Sequence, residues 1–348
     1  MTSQSDAGLT LMTSIPPAAD ERLASVIPAS LRSFEKNGLS AISINWPGEI
    51  ERVRALYPTV AAAAVSAERP AIFPNRYGPP LGALFAFGRN GDALGICNAD
   101  VLMLQSDIRA RVFHQPERFF VAHRLDVDRL GGDIVGVYRR GVDAVFFNRG
   151  RYPALLEDEH LARFQLGAPF WDILMPVIAS FHGPVSFIEP PFIVHAVHEA
   201  RWSDDDYANL RQLAIATAVR HAQRHAAGRP HARAFLELFD RYVGRDVESL
   251  NRRARRNAMT IFNLWLAKLE HQGAERLHVE ISGELSLSAF STLGGPLADT
   301  PTDADTAGAG AGAFGVQRMR QWTKAHLRVW KRRRRERAIA TRLADVEF

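Results

Sequence analysis

The chain has 348 residues, of which 47% are hydrophobic and 23% are charged, and these values are typical of globular proteins. This length suits two modest domains or one large α/β domain with additions. No apolar stretch approaches the roughly 20 residues that span a bilayer, and the segment MTSQSDAGLTLM lacks the features of a signal peptide. The single cysteine, Cys97, excludes an internal disulfide and argues against a cysteine-based zinc site. We therefore expect a cytoplasmic protein.

The net charge of +5 is concentrated near the C-terminus. Residues 318–337 read RMRQWTKAHLRVWKRRRRER, with Glu336 as the only acid, so the rest of the chain is close to neutral. A neutral body gives no reason to expect nucleic-acid binding. The tail predicts a basic amphipathic helix that touches an anionic membrane surface. Two alternatives stay open: a solvated tail that docks on the body, and a tail that binds nucleic acid.

The first half of the chain alternates between strand and helix patterns. The predicted order is strand 9–15, helix 20–37, strand 41–45, a helix opened by Pro47, and strand 59–65. Such alternation is typical of a parallel sheet with crossover helices. A loop with four prolines (66–80) follows, and the later predictions are a short helix (81–89), an apolar run (94–104), a polar helix (106–113), strands 119–128 and 142–148, an apolar helix after Gly167, and a strand with a Pro-Pro break (185–198).

The pattern becomes helical after Ser203, with predicted helices at 204–226, 231–243 and 246–271, and EISGELSLSAF (280–290) predicts a last strand. The expected organisation is an α/β domain at 9–202, a helical C-terminal part at 203–293, a Gly/Ala-rich flexible linker at 294–315 and the basic helix at 316–348. The predicted fold class is therefore α/β, with a mixed, mostly parallel sheet flanked by helices.

Polar residues stand where the predicted strands end. Thr13 and Ser14 close the first strand, Asn45 closes the second, and Asn98 and Asp100 interrupt the apolar run 94–104. The carboxyl ends of parallel strands meet at one edge, where ligands bind in such folds. Magnesium or manganese carrying a diphosphate needs only one or two protein carboxylates, and Asp100 is the leading candidate. The alternative is an Asx turn, which the triplet Asn-Ala-Asp favours when taken alone.

Further candidates follow in two later segments. In LGAPFWDILMP, Asp172 is either a partner of the helix dipole or a general base, and Trp171 either stacks on a sugar or packs. In FIVHAVHEARW, His195 and His198 are three residues apart, so on a continuous strand they would face opposite sides. They can approach one ion only if the strand ends at Val197.

Two arginines and two further histidines have residue types suited to binding. Arg76 and Arg124 could each pair with a phosphate, although an ion pair at the surface is the simpler prediction. His221 and His225 have the i, i+4 spacing of a helix, but they lack the H-E-x-x-H pattern of a zinc protease. We therefore predict that both histidines lie at the surface.

Taken in order, the segments LTLMTSIPP, AISINWPGEI, ICNADVLML, GVDAVFFNRGRYP, LGAPFWD and HAVHEARW resemble those of GT-A-type glycosyltransferases, which have a nucleotide-diphospho-sugar transferase fold. The resemblance covers roughly residues 9–202. It implies that Asn98-Ala99-Asp100 is a relaxed form of the D-x-D metal motif of that family. It also implies a metal shell of Asp100 completed by His198 or His195, and an acidic base at Asp172.

The resemblance implies a transferase that moves a sugar from a nucleotide-diphospho-sugar to an acceptor hydroxyl with inversion, in the synthesis of a surface glycan or glycolipid. The implied cofactor is Mn²⁺ or Mg²⁺. The candidate contacts for the nucleotide sugar, from the resemblance and from the residues above, are Thr13, Ser14, Asn45, Arg76, Asn98, Asp100 and Trp171. The expected location is the cytoplasm, peripherally on the inner face of the cytoplasmic membrane.

Two other classes of function compete with this one. A non-catalytic protein with a degenerate transferase fold would hold a nucleotide or a glycan without turnover, and the missing first Asp of the metal motif favours it. A nucleotidyltransferase would need a Gly-rich loop bearing Lys or Arg after the first strand, and TSIPPAADER is not such a loop.

Overall fold

The computed structural model describes residues 9–17, 21–66, 78–87, 93–129, 132–138, 142–198, 204–244, 247, 250–276 and 279–280, together with Ile339, Thr341 and Leu343. Arg76, most of the predicted strand 280–290, the predicted linker and residues 316–338 of the predicted basic helix lie outside these residues. The domain boundaries proposed from the sequence stay predictions.

The first third of the chain forms the predicted alternation of strands and helices. Its elements are β1 (Leu9–Thr13), α1 (Glu21–Lys36), β2 (Ser40–Asn45), α2 (Ile50–Leu56) and β3 (Ala61–Ala64). β1 pairs with β2 and β2 pairs with β3, both in parallel. Pro28 lies inside α1 without ending it, because the apolar face on both sides of it, from Leu23 to Phe34, is buried against the sheet.

The apolar run 94–104 is two strands rather than one. β4 (Ala93–Cys97) is fully buried and pairs in parallel with β1, whereas β5 (Val101–Met103) pairs antiparallel with the last long strand of the sheet. A turn at residues 98–100 separates them. The interruption noticed in the sequence is therefore a turn between two strands that serve different parts of the sheet.

The middle of the chain completes the sheet. Its elements are α3 (Leu81–Phe87), β6 (Gln105–Ser106), α4 (Ile108–His114), β7 (Phe119–Val127), β8 (Ile134–Tyr138), β9 (Ala144–Asn148), α5 (Pro153–Leu156), α6 (Trp171–Ala179) and β10 (Val185–Ala196). The sequence pattern did not predict β8. β9 runs antiparallel to its neighbours β4 and β7, and β10 runs parallel to β7.

Helices follow the sheet, as predicted. They are α7 (Asp204–His225), α8 (Pro230–Tyr242) and α9 (Arg252–Gln272). α9 begins later than predicted because the Asn251 side chain accepts hydrogen bonds from the backbone N–H groups of Arg253 (2.9 Å) and Ala254 (3.0 Å). β11 (Ala274–Arg276) then joins the edge of the large sheet, and β12 (Val279–Glu280) pairs with β6.

The order of strands along the main path of the sheet is β11-β10-β7-β9-β4-β1-β2-β3. The fold is thus the predicted mixed, mostly parallel sheet flanked by helices. One face carries α6, which in turn contacts α7 and α9, and buried aromatic residues such as Phe181, Phe235 and Trp265 join them into one hydrophobic core. Among the described residues, no helix combines the length and the apolar character needed to cross a membrane.

Candidate active site at the carboxyl ends of the strands

The direction of the strands brings separate segments to one edge of the sheet. β1 and β4 are parallel, β7 has the same direction as β4 because both lie antiparallel to β9, and β10 is parallel to β7. The carboxyl ends of these strands therefore share one edge, and so does the start of β9. Ligands of open α/β sheets bind at such an edge.

Asp100 meets two histidines at this edge. The Asp100 carboxylate lies 3.2 Å from Nε2 of His198 and 3.9 Å from Nε2 of His195. One ligand atom from each of the three residues falls within 4.8 Å of the others. β10 ends at Ala196, so His198 is released from the strand and turns towards the face on which His195 lies. From the sequence, the two histidines could approach one ion only if the strand ended by Val197. The strand does end before His198, and the structure brings the three residues together.

Asp126 contacts the ring nitrogen of His195 that faces away from Asp100. Nδ1 of His195 lies 3.3 Å from the carboxylate of Asp126, while its Nε2 points towards Asp100. Arg124 donates to Asp126 (2.8 Å) and to Asp143 (2.8 Å), so one guanidinium group joins two carboxylates. Arg124 is half-buried, and its role is to bridge these two acids rather than to form an ion pair at the open surface.

Asn98 forms two hydrogen bonds with Asp143, the residue just before β9. Its side-chain amide donates to the Asp143 carboxylate (2.6 Å) and its backbone N–H donates to the Asp143 carbonyl (3.2 Å). The Asn98 amide therefore positions Asp143, a contact between distant segments that differs from the Asx turn considered from the sequence. Asp143, which is 5% exposed, was not singled out from the sequence. Only the antiparallel direction of β9 brings it to this edge.

Asp172 has the chemistry of an acid–base group. Burial and, to a smaller extent, the nearby Asp143 carboxylate raise the pKa of Asp172 to about 7, whereas backbone hydrogen bonds including the one from Val142 (3.3 Å) act in the opposite direction. Phe170, just before α6, has a left-handed backbone (φ 78°) that a non-glycine residue rarely adopts. The hydrogen bond from Val142 holds Asp172, the second residue of α6, beside the start of β9.

The remaining predicted contacts for the nucleotide sugar are not equally accessible. Trp171 is 2% exposed and belongs to the hydrophobic core, so the packing alternative describes it and no ring face is left for a sugar. Asn45 is 1% exposed, and its amide donates to the Ile15 carbonyl (2.8 Å). It therefore holds the segment after β1 in place. Thr13 is also buried, and Ser14, which is half-buried, lies next to Gly78.

Three groups of side chains meet at this edge. They are the cluster of Asp100 with two histidines, the two carboxylates bound by Arg124, and the Asp172 carboxyl group with its raised pKa. Carboxylate oxygen and imidazole nitrogen are both ligands for divalent first-row metals. A carboxyl group that is half ionised near pH 7 can accept a proton. The arrangement can therefore hold a cation and remove a proton within one site.

No description of a protein family matches the chain, and no curated protein matches it. The solved structures that it resembles include an inositol-1-phosphate CTP transferase from T. maritima, with 11% identity and a TM-score of 0.35, covering 60% of this chain and 96% of that chain. They also include a 4-diphosphocytidyl-2C-methyl-D-erythritol synthase, with 12% identity and a TM-score of 0.32, covering 59% of this chain and 98% of that chain. The glycosyltransferase GlyE from Streptococcus pneumoniae TIGR4 is 11% identical with a TM-score of 0.30, covering 57% of each chain. Likeness at these identities and TM-scores concerns the architecture and assigns no reaction.

Proposed function

We propose that this protein transfers a sugar from a nucleotide-diphospho-sugar to an acceptor hydroxyl, with the help of a divalent metal ion and with inversion at the anomeric carbon. The observation that carries the proposal is the meeting of Asp100, His195 and His198 at the same edge as Asp172. The first three residues form a cation site, and the fourth is a proton acceptor. Glycosyl transfer from a diphosphate donor needs both.

The donor set fits a metal ion. Asp100 offers a carboxylate oxygen, and His195 and His198 each offer a ring nitrogen. Asp126 binds the far nitrogen of His195, as outer carboxylates commonly orient metal-binding histidines. When bound, the ion would stabilise the negative charge that develops on the departing diphosphate. Mixed oxygen and nitrogen ligands favour Mn²⁺ over Mg²⁺, which prefers oxygen ligands and retains water.

Asp172 serves as the general base. Its carboxylate takes the proton from the acceptor hydroxyl while the acceptor oxygen forms its bond to the anomeric carbon. The bond between that carbon and the diphosphate oxygen breaks, and the nucleoside diphosphate leaves with the electron pair. Attack opposite the leaving group inverts the anomeric centre. A pKa near 7 suits this role, because the carboxylate is available at neutral pH and is still basic enough to accept a proton.

The donor would lie along the carboxyl ends of β1 and β4. Ser14 is half-buried next to Gly78. A Cβ atom added at Gly78 would lie 3.0 Å from the Leu166 carbonyl oxygen and 3.2 Å from the Ser14 side chain. The absence of a side chain at Gly78 therefore allows its backbone to pack closely against Ser14 and Leu166. Contacts from Thr13, Arg76 and Asn45 to the nucleotide stay predictions.

The experiment is a screen of nucleotide-diphospho-sugars against the full-length protein by thermal shift, with and without Mn²⁺. Donors that raise the unfolding temperature are then assayed for slow hydrolysis, by release of nucleoside diphosphate. Asp205, an exposed acid on α7, supplies the matched control: Asp205→Asn should keep the activity that Asp172→Asn loses. Binding without turnover would overturn the enzymatic proposal in favour of a non-catalytic binding protein, and release of pyrophosphate from a nucleoside triphosphate would replace it with nucleotidyl transfer.

A further inference from the structure

A second cluster of histidines lies away from the candidate active site. His182 is in the turn between α6 and β10, and His221 and His225 are one helical turn apart on α7. One nitrogen from each ring falls within 4.8 Å of the others. The expectation that His221 and His225 both lie at the surface is wrong for His221, which is 1% exposed, while His225 is half-buried. The turn that carries His182 lies against α7 and contacts His221 through its ring.

We propose that His182, His221 and His225 bind a divalent transition-metal ion, preferentially Zn²⁺, and that this ion joins the turn after α6 to helix α7. Imidazole nitrogens are preferred ligands of Zn²⁺, and two histidines at i and i+4 on one helix face can bind the same ion. His182 supplies a third ligand from a segment that is distant in sequence. The half-buried positions of His182 and His225 leave a fourth coordination position facing solvent.

Asp158 prepares His221 for this role. It is 1% exposed, and one carboxylate oxygen accepts the backbone N–H groups of His160 (2.9 Å) and Leu161 (2.8 Å). The other oxygen lies 2.5 Å from Nδ1 of His221. Because a carboxylate only accepts, Nδ1 carries the proton and Nε2 presents its lone pair to the cluster. A carboxylate behind a histidine is the usual outer partner in zinc sites.

A hydrogen bond alone does not account for the cluster. Nε2 of His182 lies 2.6 Å from Nε2 of His221, and such a contact between two imidazoles would suffice for a purely structural pair. That pair leaves out the third ring, that of His225, whose centroid lies 4.6 Å from that of His221 and 4.7 Å from that of His182. One ligand nitrogen from each of the three rings lies within 4.8 Å of the others, an arrangement that allows all three to bind one ion.

The surrounding charge sets the expected strength of binding. Arg224 lies 3.6 Å from the Asp158 carboxylate, and Arg229 donates to the His182 carbonyl (3.3 Å). These guanidinium groups oppose a bound cation, and Asp158 offsets one of them. We therefore expect an affinity below that of a site with anionic ligands, and an anion such as hydroxide or chloride in the fourth position.

The location separates this site from the candidate active site. His182 precedes the first residue of β10, whereas His195 is next to its last residue. Val185 pairs with Phe119 of β7 and His195 pairs with Asp126, and the seven steps between them at about 3.3 Å each place roughly 23 Å between the two ends of β10. An ion at the second cluster is therefore too far away to take part in chemistry at the first, and its effect is on the attachment of α7 to the sheet.

The test uses the full-length protein, stripped of metal with a chelator, in an Asp100→Asn/His198→Gln background that disables the first cluster. Titration with Zn²⁺ should show one bound equivalent and a higher unfolding temperature, and Co²⁺ should give the visible absorption bands of a tetrahedral site. His225→Gln should lower the affinity by at least ~10-fold, and Asp158→Asn, which keeps the acceptor for the two N–H groups, by about 10- to 100-fold. His271→Gln, at an exposed position on α9, is the matched control and should change nothing.

Two outcomes would overturn the proposal. One is the absence of saturable Zn²⁺ and Co²⁺ binding in the Asp100→Asn/His198→Gln background. The other is binding of equal affinity in the His225→Gln and His271→Gln variants, which would show that the third ring takes no part. Because His225 is half-buried and lies on the open side of the cluster, its replacement is expected to leave the fold intact.

Discussion

Nε2 of His198 lies 3.2 Å from the carboxylate of Asp100, although 98 positions separate the two residues in the chain. The contact exists because β5 and β10 pair antiparallel, with Val101 opposite His195. That register places the turn before β5 against the end of β10. The same register brings His195 to the carboxylate, so one pairing of strands assembles the whole candidate metal cluster.

Replacing Asp100 should remove metal binding. Asp100→Asn takes away the only anionic ligand of the cluster formed with His195 and His198, and a neutral amide oxygen is a weaker ligand. We expect loss of Mn²⁺ binding, measured by the decrease of the free Mn²⁺ signal in electron paramagnetic resonance. His225→Gln, in the separate histidine cluster, should leave Mn²⁺ binding unchanged. Equal Mn²⁺ affinity in Asp100→Asn and wild type would remove Asp100 from the ligand set.

Replacing Asp172 should stop the chemistry without stopping donor binding. Loss of a general base costs about 10²- to 10⁴-fold in rate. We expect this decrease in kcat for Asp172→Asn, with nucleotide-sugar binding retained in thermal shift. In the wild type, kcat should rise with pH up to about 7, the pKa of Asp172, and then level off, because the carboxylate is the active form. A rate that does not depend on pH below 7 would contradict this assignment.

Because its pKa is raised, Asp172 in its ionised form lowers the free energy of unfolding at high pH. In the unfolded chain its carboxyl group ionises near 3.8, whereas in the folded chain it ionises near 7. Between these values the folded state binds the extra proton, so the stability contribution falls as the pH rises and is lost above about 7. Asp172→Asn should therefore be more stable than the wild type at pH 8.5 and equal to it near pH 4. Urea unfolding of the wild type and of Asp172→Asn at the two pH values tests this. Equal free energies of unfolding for the two proteins at both pH values would refute it.

Arg124→Gln should lower the free energy of unfolding. Arg124 donates to Asp126 and Asp143, and without it two carboxylates would share a half-buried site with no cation between them. Breaking such a buried arrangement costs about 2–4 kcal/mol, somewhat less than for a fully buried pair. Arg54→Gln is the matched control, because its ion pair with Glu51 is exposed and should contribute less than about 1 kcal/mol. Urea unfolding of both variants gives the comparison, and similar losses would show that the Arg124 network adds little.

Gly273 should tolerate no side chain. It lies where α9 ends and β11 begins, and a Cβ there would sit 2.2 Å from the Val185 carbonyl oxygen. Gly273→Ala must push α9 away from β10, and overpacking of this kind costs about 1–3 kcal/mol. At Gly228, after α7, an added methyl group would meet no atom within 4 Å, so Gly228→Ala should be neutral or slightly stabilising. Thermal unfolding distinguishes the two, and equal midpoints would contradict the packing argument.

Much of the fold could be predicted from local patterns. β1, α1, β2 and β3 follow the predicted order, because alternating apolar residues and proline or glycine breaks act over a few neighbouring positions. β8 was missed although its segment, IVGVY, has strand composition and follows the turn signal Gly131-Gly132. The turn within run 94–104 was one of the alternatives drawn from the sequence, but composition alone does not show that β4 and β5 pair with different partners.

The sequence by itself determined the order of strands and helices and placed polar residues at the ends of the strands, since both follow from local periodicity and turn chemistry. Only the tertiary structure decided how those residues meet. The reversed direction of β9 brought Asp143 to the edge, core packing buried Trp171, and the turn carrying His182 came into contact with His221. These outcomes depend on contacts between segments that are distant in the sequence. The free energy of such contacts cannot be read from the local pattern of either segment.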